Sequence, residues 1–443
     1  MIEGLQPYAE YKESGLPWLA TIPGHWRTAR NGNLFQQRNE TQHPDLPILE
    51  VSLRTGVRVR EFGASGRKQV MADASKYKRA ARGDVAYNMM RMWQGAVGVA
   101  PIDGLVSPAY VVARPFPGTV ARYYTSLFRN GVYMGEIDAA SRGIVKDRNR
   151  LYWDQFKQMR SLVPPPDEQA AIVRFLDHAN RKIDGFIRAK RKLIALLGEQ
   201  KQAIIHLAVT RGRDPNVSLK PSGIPWLGDI PKHWEVLRLK SLGTKFGSGV
   251  TPRGGASVYQ ESGIPLLRSQ NVHNGELRLD KVARIAPRIH ASMSGTQVKP
   301  GDVLLNITGA SIGRVCAVPQ TLLEANVNQH VCIIRPISKR CEADYIAMFL
   351  ATNAAQNAIY IAQNGSSREG MAVSEVKTLP IVLPPLDEQR EIGLKVRAET
   401  QSLDTAITRT VREIALMQEY RARLTVDIVT GKLDVREAAG FGQ

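Results

Sequence analysis

Cysteine is scarce in this chain: 443 residues hold three, Cys316, Cys332 and Cys341, with no CxxC spacing among them. That number and spacing argue against a disulfide framework or a thiolate zinc site and predict reduced thiols in the cytoplasm. No apolar run approaches the roughly 20 residues of a membrane span. The N-terminus MIEGLQPYAEYKESG lacks the basic start and apolar core of a signal peptide. Catalytic signatures are missing as well. There is no GxxxxGK[ST] phosphate loop, since Gly431-Lys432 is followed by Leu433, and no HExxH, GxSxG or kinase motif. The Asn/Asp-Pro-Pro-aromatic signature of DNA amino-methyltransferases is absent too; PPPD and PPLD share only its prolines. No residue is therefore assigned to catalysis or metal binding, and no cofactor is expected on this chain itself.

Basic charge is plentiful. Lys and Arg number 60 against 41 Asp and Glu, a net +19. The excess is largest in residues 27–163 and recurs in 167–213 and 235–383, while 384–443 is close to neutral. A surface kept basic for solubility is one reading; a polyanionic partner explains the clustering better.

The chain also repeats itself. SGLPWLATIPGHW (14–26) returns as SGIPWLGDIPKHW (222–234), identical at nine of thirteen positions. VPPPDEQ (163–169) returns as LPPLDEQ (383–389), GDVAYN (83–88) as GDVLLN (301–306), and GAVGVAP (95–101) as GRVCAVP (313–319), in the same order. This is a tandem duplication of about two hundred residues. The first phrase reads as structure: its prolines forbid a continuous helix, and its tryptophans want burial. It is expected to clasp each basic body, with His25 and His233 structural because no carboxylate or nucleophile travels with them. Asp84 and Asp302, in the GDV phrase, are expected to be turn residues.

After each DEQ the pattern becomes helical for about 40 residues, with Asp167 or Asp387 as the expected N-cap and Gly212 or Gly431 near the end. The apolar stripes run through Ile172, Leu176, Ala179, Ile183, Phe186, Leu193, Leu197, Ile204 and Leu207, and through Ile392, Val396, Leu403, Ile407, Val411, Ile414, Met417, Leu424 and Ile428. Helices this long need partners, and pairing with each other is the economical solution; two ordinary core helices are the alternative. The helix interface is expected at Leu176, Ile183, Leu197, Ile204, Leu403, Ile407, Ile414 and Leu424. Short strands, as in DVAYNMM, GAVGVA, DVLLNI and HVCIIRP, and later helical stretches such as 343–363, make each basic body mixed α/β. The expected segments are 1–26 (clasp), 27–163, 164–213 (helix), 214–234 (second clasp), 235–383 and 384–443 (helix and tail).

These phrases, in this order and over essentially the whole chain, resemble the specificity (S) subunit of type I restriction-modification enzymes. The resemblance implies two target-recognition domains, 27–163 and 235–383, separated by two long helices packed as an antiparallel coiled coil. It implies double-stranded DNA as ligand, with two modification (methyltransferase) subunits and the restriction (motor-nuclease) subunits as partners. S-adenosylmethionine, ATP and Mg2+ would then belong to those partners, within an adenine methyltransferase and ATP-dependent endonuclease complex. Strong divergence between the halves predicts an asymmetric bipartite target, and the helices would set the unread spacer. A methylation-only or type IIB-like system, and a coiled-coil scaffold binding nucleic acid without sequence choice, are the alternatives.

Phosphate and base contacts divide the basic residues. Arg54, Arg58, Arg60, Arg67, Lys68, Lys76, Lys78 and Arg79 form a cluster suited to phosphates. Loops mixing Arg, Asn and Gln suit base edges: Asn88, Arg91, Gln94, Lys146 and Arg148 in the first body, and Arg253, Arg268, Gln270, Asn271, Asn328, Gln329 and Arg368 in the second.

Overall fold

A computed structural model describes residues 5–60, 74–143, 149–212, 214–363 and 370–438. Two compact units emerge, unit 1 from Met1–Lys190 with Arg412–Gln443 and unit 2 from Arg191–Val411.

In unit 1, β1 (Arg27–Arg30) follows the first clasp phrase. β2 (Phe35–Arg38), β3 (Val85–Asn88), β4 (Val97–Val99) and β5 (Tyr110–Pro115) make an antiparallel sheet in the order β2-β5-β3-β4. α1 (Ala121–Phe128) comes next, then β6 (Arg160–Val163), which pairs with β1, and the prolines lead into α2 (Pro166–Arg211). Unit 2 repeats the plan. β7 (Glu235–Arg238) precedes β8 (Gly243–Ser248), β9 (Val303–Asn306), β10 (Val315–Ala317) and β11 (Val331–Pro336), ordered β8-β11-β9-β10. α3 (Ala343–Leu350) follows, β12 (Pro380–Leu383) pairs with β7, and α4 (Leu386–Val429) closes the series. The duplication read in the phrases is thus a duplication of topology.

The two units differ where the phrases diverge. Unit 2 carries a second four-stranded sheet, Ala283–Ile285, Ile264–Leu267, Ala325–Val327 and Gln297–Val298 in that order, with one parallel pair. Among the described residues unit 1 has instead two antiparallel pairs, Leu49–Ser52 with Gly56–Val59 and Lys78–Ala80 with Gly104–Val106.

The central strands β3 and β9 have no exposed residue, as expected of apolar runs covered on both faces. In unit 1, Trp26, Phe35, Tyr87, Tyr123, Phe128 and Phe156 pack with Ile172 and Phe175 of α2 and with Leu424 and Ile428 of α4. In unit 2, Trp234, Val303, Tyr345 and Phe349 pack with Ile205 and Val209 of α2 and with Ile392 and Val396 of α4. Each core therefore takes a stretch of both long helices.

Within each unit these stretches run antiparallel. Asp184 pairs with Arg421 at 2.7 Å and Lys190 with Glu413 at 2.7 Å in unit 1. In unit 2, Lys201 pairs with Asp404, and Gly212 lies beside Glu388. Leu176, Ile183 and Leu424 are buried, and Leu197, Ile204, Leu403, Ile407 and Ile414 are half-buried. The stripe itself needs correction. Phe186, Leu193, Leu207 and Val411 are exposed, and Ile205, Ala208 and Val209 carry the burial at the end of α2. A strict three-four count drifts against the 3.6-residue turn over so long a helix.

Asp167 and Asp387 are not caps. α2 begins at Pro166, whose fixed φ suits a first helical position, so Asp167 falls inside the first turn, as Asp387 does in α4. There they face the positive end of the helix dipole. The helical stretch 343–363 is two helices, α3 and Asn353–Gln363, interrupted at buried Thr352, whose Oγ1 accepts from the Ala355 amide at 3.3 Å.

Candidate nucleic-acid interface

Any DNA-reading loop must be held by the frame beneath it, and the repeated phrases build that frame. In unit 1 the Trp26 indole donates to Glu168 Oε1 at 2.9 Å, His25 Nε2 lies 2.7 Å from Glu168 Oε2, and the Tyr8 hydroxyl donates to the same carboxylate. In unit 2, Trp234 donates to Glu388 at 3.1 Å and His233 lies 2.8 Å from it. The clasp of each half is thus pinned to the DEQ glutamate that starts the following helix. The sequence reading found both phrases but missed the link, holding that no carboxylate accompanies the histidines. The signal was available: His-Trp and DEQ recur together in both halves. Tyr8 is held protonated by its burial and by Glu168.

The neighbouring glutamines repeat the design. Gln169 Oε1 accepts from the Val120 amide at 2.9 Å while its Nε2 donates to Pro164 O at 2.8 Å. Gln389 does the same with the Glu342 amide at 2.9 Å and Pro384 O at 2.8 Å. Each glutamine ties a helix start to the segment that opens α1 or α3. The tryptophans also meet a glycine: a Cβ on Gly431 would lie 2.5 Å from Pro23 and 3.0 Å from Trp26, and one on Gly212 would lie 3.1 Å from Trp234. Both glycines have a left-handed φ, +78° at Gly431 and +76° at Gly212, so a side chain there meets both a strained backbone and the tryptophan.

Asp84 and Asp302 are the turn residues their phrase suggests. Asp84 accepts from the Ala81 amide at 2.9 Å and from Arg38 Nε at 2.7 Å; Asp302 accepts from the Lys299 amide at 2.7 Å and from Arg335 at 2.8 Å. Each buried carboxylate is paired with one arginine.

The phosphate candidates divide accordingly. Arg54, Arg58 and Lys76 are exposed and Arg60 is half-buried. Arg58 is paired with Glu50. Arg79 is held by Glu40 at 2.8 Å and Asp103 at 2.7 Å, and Lys78 donates to Tyr110 O at 2.9 Å. Burial pulls the Lys78 ammonium below its ordinary range. Arg67 and Lys68 lie outside the described residues, as do Lys146, Arg148 and Arg368.

Among the base-edge candidates, three asparagines face inward. Asn88 is buried and accepts from the Met90 amide at 2.9 Å; Asn271 is buried between the Arg268 amide and Arg278 O; Asn328 accepts from the His330 amide at 3.2 Å. Short polar side chains at strand ends close turns onto their own backbone, and sequence alone does not separate that use from base reading. Arg91 and Gln94 are exposed around the turn after β3, with Trp93 half-buried between them, and Arg253, Gln270 and Gln329 are exposed in unit 2. Arg268 is half-buried, its guanidinium 5.5 Å from the centre of the Tyr259 ring.

The mixed α/β fold of two like units joined through long helices has a solved counterpart. A chain in a structure describing complex assembly and conformational transition of the type I R-M system matches with a TM-score of 0.63 at 16% identity, covering 93% of this chain and 99% of that one. Residues 231–405 match the family model described as the type I restriction modification DNA specificity domain. The EcoKI specificity subunit of Escherichia coli K12 is 24% identical over 354 residues, 74% of this chain and 71% of that protein. The MjaVIII specificity subunit of Methanocaldococcus jannaschii is 22% identical over 284 residues, 63% of this chain and 64% of that one. Residues 231–405 are thus similar to the DNA specificity domain of type I restriction-modification systems, and the fold of the solved chain extends the likeness over most of the sequence.

Proposed function

We propose that this chain is the sequence-reading subunit of a type I restriction-modification enzyme, binding an asymmetric bipartite DNA target with one half-site per unit. The observation that carries it is a duplicated frame bearing unlike loops. The positions before β11 are Asn328-Gln329-His330, whereas those before β5 are Ser107-Pro108-Ala109. Equal frames suit two half-sites on a duplex, and unequal loops suit two different ones. The basic charge supplies the sequence-independent part of binding.

Catalysis is assigned to partners. Methyltransferase subunits, bringing S-adenosylmethionine, would dock on the long helices, and restriction subunits would bring ATP and Mg2+. A cleft of about 950 Å3 in unit 1, lined by Ile183, Phe186, Leu416, Met417 and Tyr420, supports an apolar docking surface there. Phe186 and Leu416 are both more than half exposed, at 55% and 54%.

The test is a single-molecule methylation map of DNA from cells expressing this chain with its methyltransferase partner. A two-part asymmetric motif, lost when this chain is deleted, is the expected result. A folded complex that leaves no motif, with uniform and strongly salt-dependent binding, would favour a non-specific scaffold instead.

A further inference from the structure

Four chain segments of unit 2 meet at one edge, each of them leaving the end of a strand. β8 ends at Ser248 and runs into Gly249, where a Cβ would fall 1.9 Å from Val327 O. Ile264–Leu267 ends beside Asn328, whose amide donates to Leu267 O at 3.0 Å. β9 ends at Asn306, and the next amide, Ile307, donates to His330 O at 3.0 Å. Ala325–Val327 ends in Asn328-Gln329-His330, which crosses to β11 in the other sheet.

The side chains at this edge form one polarised chain. Thr251 Oγ1 donates to Gln329 Oε1 at 2.6 Å. Gln329 Nε2 lies 3.0 Å from His330 Nε2, and His330 Nδ1 contacts Thr308 Oγ1. An amide nitrogen only donates, so His330 Nε2 accepts, and the proton of the neutral ring sits on Nδ1, facing Thr308. That arrangement has the Gln329 amide oxygen facing Thr251 and its nitrogen facing His330. It leaves one N–H and one lone pair of the amide unused, on a side chain that is exposed. Two buried atoms without partners, Arg268 Nε and Asn306 Oδ1, belong to the same segments. Buried polar groups are rarely left so, and a site completed by a ligand is one physical reason.

We infer that Gln329 reads an adenine in the major groove, with Thr251 and His330 as the positioning residues that hold its amide. A glutamine amide offers adenine what its N6 amino group and N7 require, a lone pair and an N–H. Held from both sides, it gives up little side-chain freedom on binding. In unit 1 the aligned residue is Pro108, which has no such group, so the contact belongs to one half-site only. The inference rests on the proposed DNA reading and adds the residue, the base and the half to it.

The experiment maps methylation in cells carrying the full chain, its methyltransferase partner and one of four variants: Gln329→Ala, Gln329→Glu, Thr251→Val or Thr251→Ser. Gln329→Ala should relax one A·T position by roughly tenfold in selectivity, in the half that does not change when residues 27–163 are exchanged. Gln329→Glu should lose adenine at that position too. Thr251→Val should loosen the same position, and Thr251→Ser, which keeps the hydroxyl, should preserve it. A Gln329→Ala motif identical to the wild type, or relaxation at a G·C pair or in the other half, would overturn the inference. If Gln329→Ala abolished methylation, the wild-type complex would be titrated with duplexes carrying 7-deazaadenine, which lacks N7. A roughly tenfold weakening at one adenine supports the contact, and equal affinity at every adenine of that half refutes it. A wild-type map without any motif would remove the DNA reading and this inference together, before any variant is made.

Discussion

At the scale of single residues, the frame turns on two glutamates that do the same work with unequal help. Glu168 is almost fully buried and accepts from three groups, whereas Glu388 is more exposed and accepts from two. Glu168→Ala strands the Trp26 and Tyr8 donors, each of which costs about 1–3 kcal/mol when left unsatisfied in the interior. It should therefore lower unfolding stability by about 3 kcal/mol, and Glu388→Ala by about 1 kcal/mol, in urea titrations of the purified chain. Equal effects would mean that the third donor contributes nothing. The thiols give a second check. Burial pushes Cys316 and Cys332 up to about 12 and Cys341 up to about 11, so all three stay protonated at neutral pH. A chromogenic disulfide reagent at pH 8 should label none of them in the folded chain and all three after denaturation. Rapid labelling of any one in the native protein would show that its pocket opens. The buried turn role of Asp84 and Asp302 was legible because GDV is a local signal. The partners of His25 and His233 were not, because they lie about 150 residues away and only the fold joins them.

At the scale of elements, the central strands and the long helices were the most legible parts. An apolar run such as VLLN, or a stripe sustained over 40 residues, needs no distant information. What the stripe could not reveal was which apolar residues stay uncovered. Phe186 and Leu416 break the rule that apolar helix positions face the core, and the proposed docking of a methyltransferase explains why. Phe186→Asp or Leu416→Asp should weaken capture of that partner at least tenfold, measured by titration calorimetry. The stability of the chain alone should change by less than about 0.5 kcal/mol, because both side chains are already exposed. Unchanged capture would place the partner elsewhere. The helices themselves offer another test. Seven residues inserted after Gly198 lengthen α2 by about 10 Å. The methylated motif should then keep both half-sites and change only its spacer, or assembly should be lost. An unaltered spacer with normal activity would deny the helices any ruler role.

At the scale of the whole molecule, the duplication was legible from phrases that recur in order, and the central four-stranded sheet of each unit repeats the same strand order. The candidate recognition loops were less legible, because Arg, Asn and Gln serve turns, ion pairs and base edges alike. Asn88 and Asn271 proved to be turn residues, Arg79 is bound by two acids, and Gln329 stands exposed with its amide held between Thr251 and His330. The central claim is that one chain reads two half-sites with two separable units. The most direct test replaces residues 27–163 with the matching region of a relative of different specificity and maps methylation in the presence of the same methyltransferase partner. The account predicts that one half of the motif changes while the other half and the spacer stay as they were. A change in both halves would show that the units do not read independently.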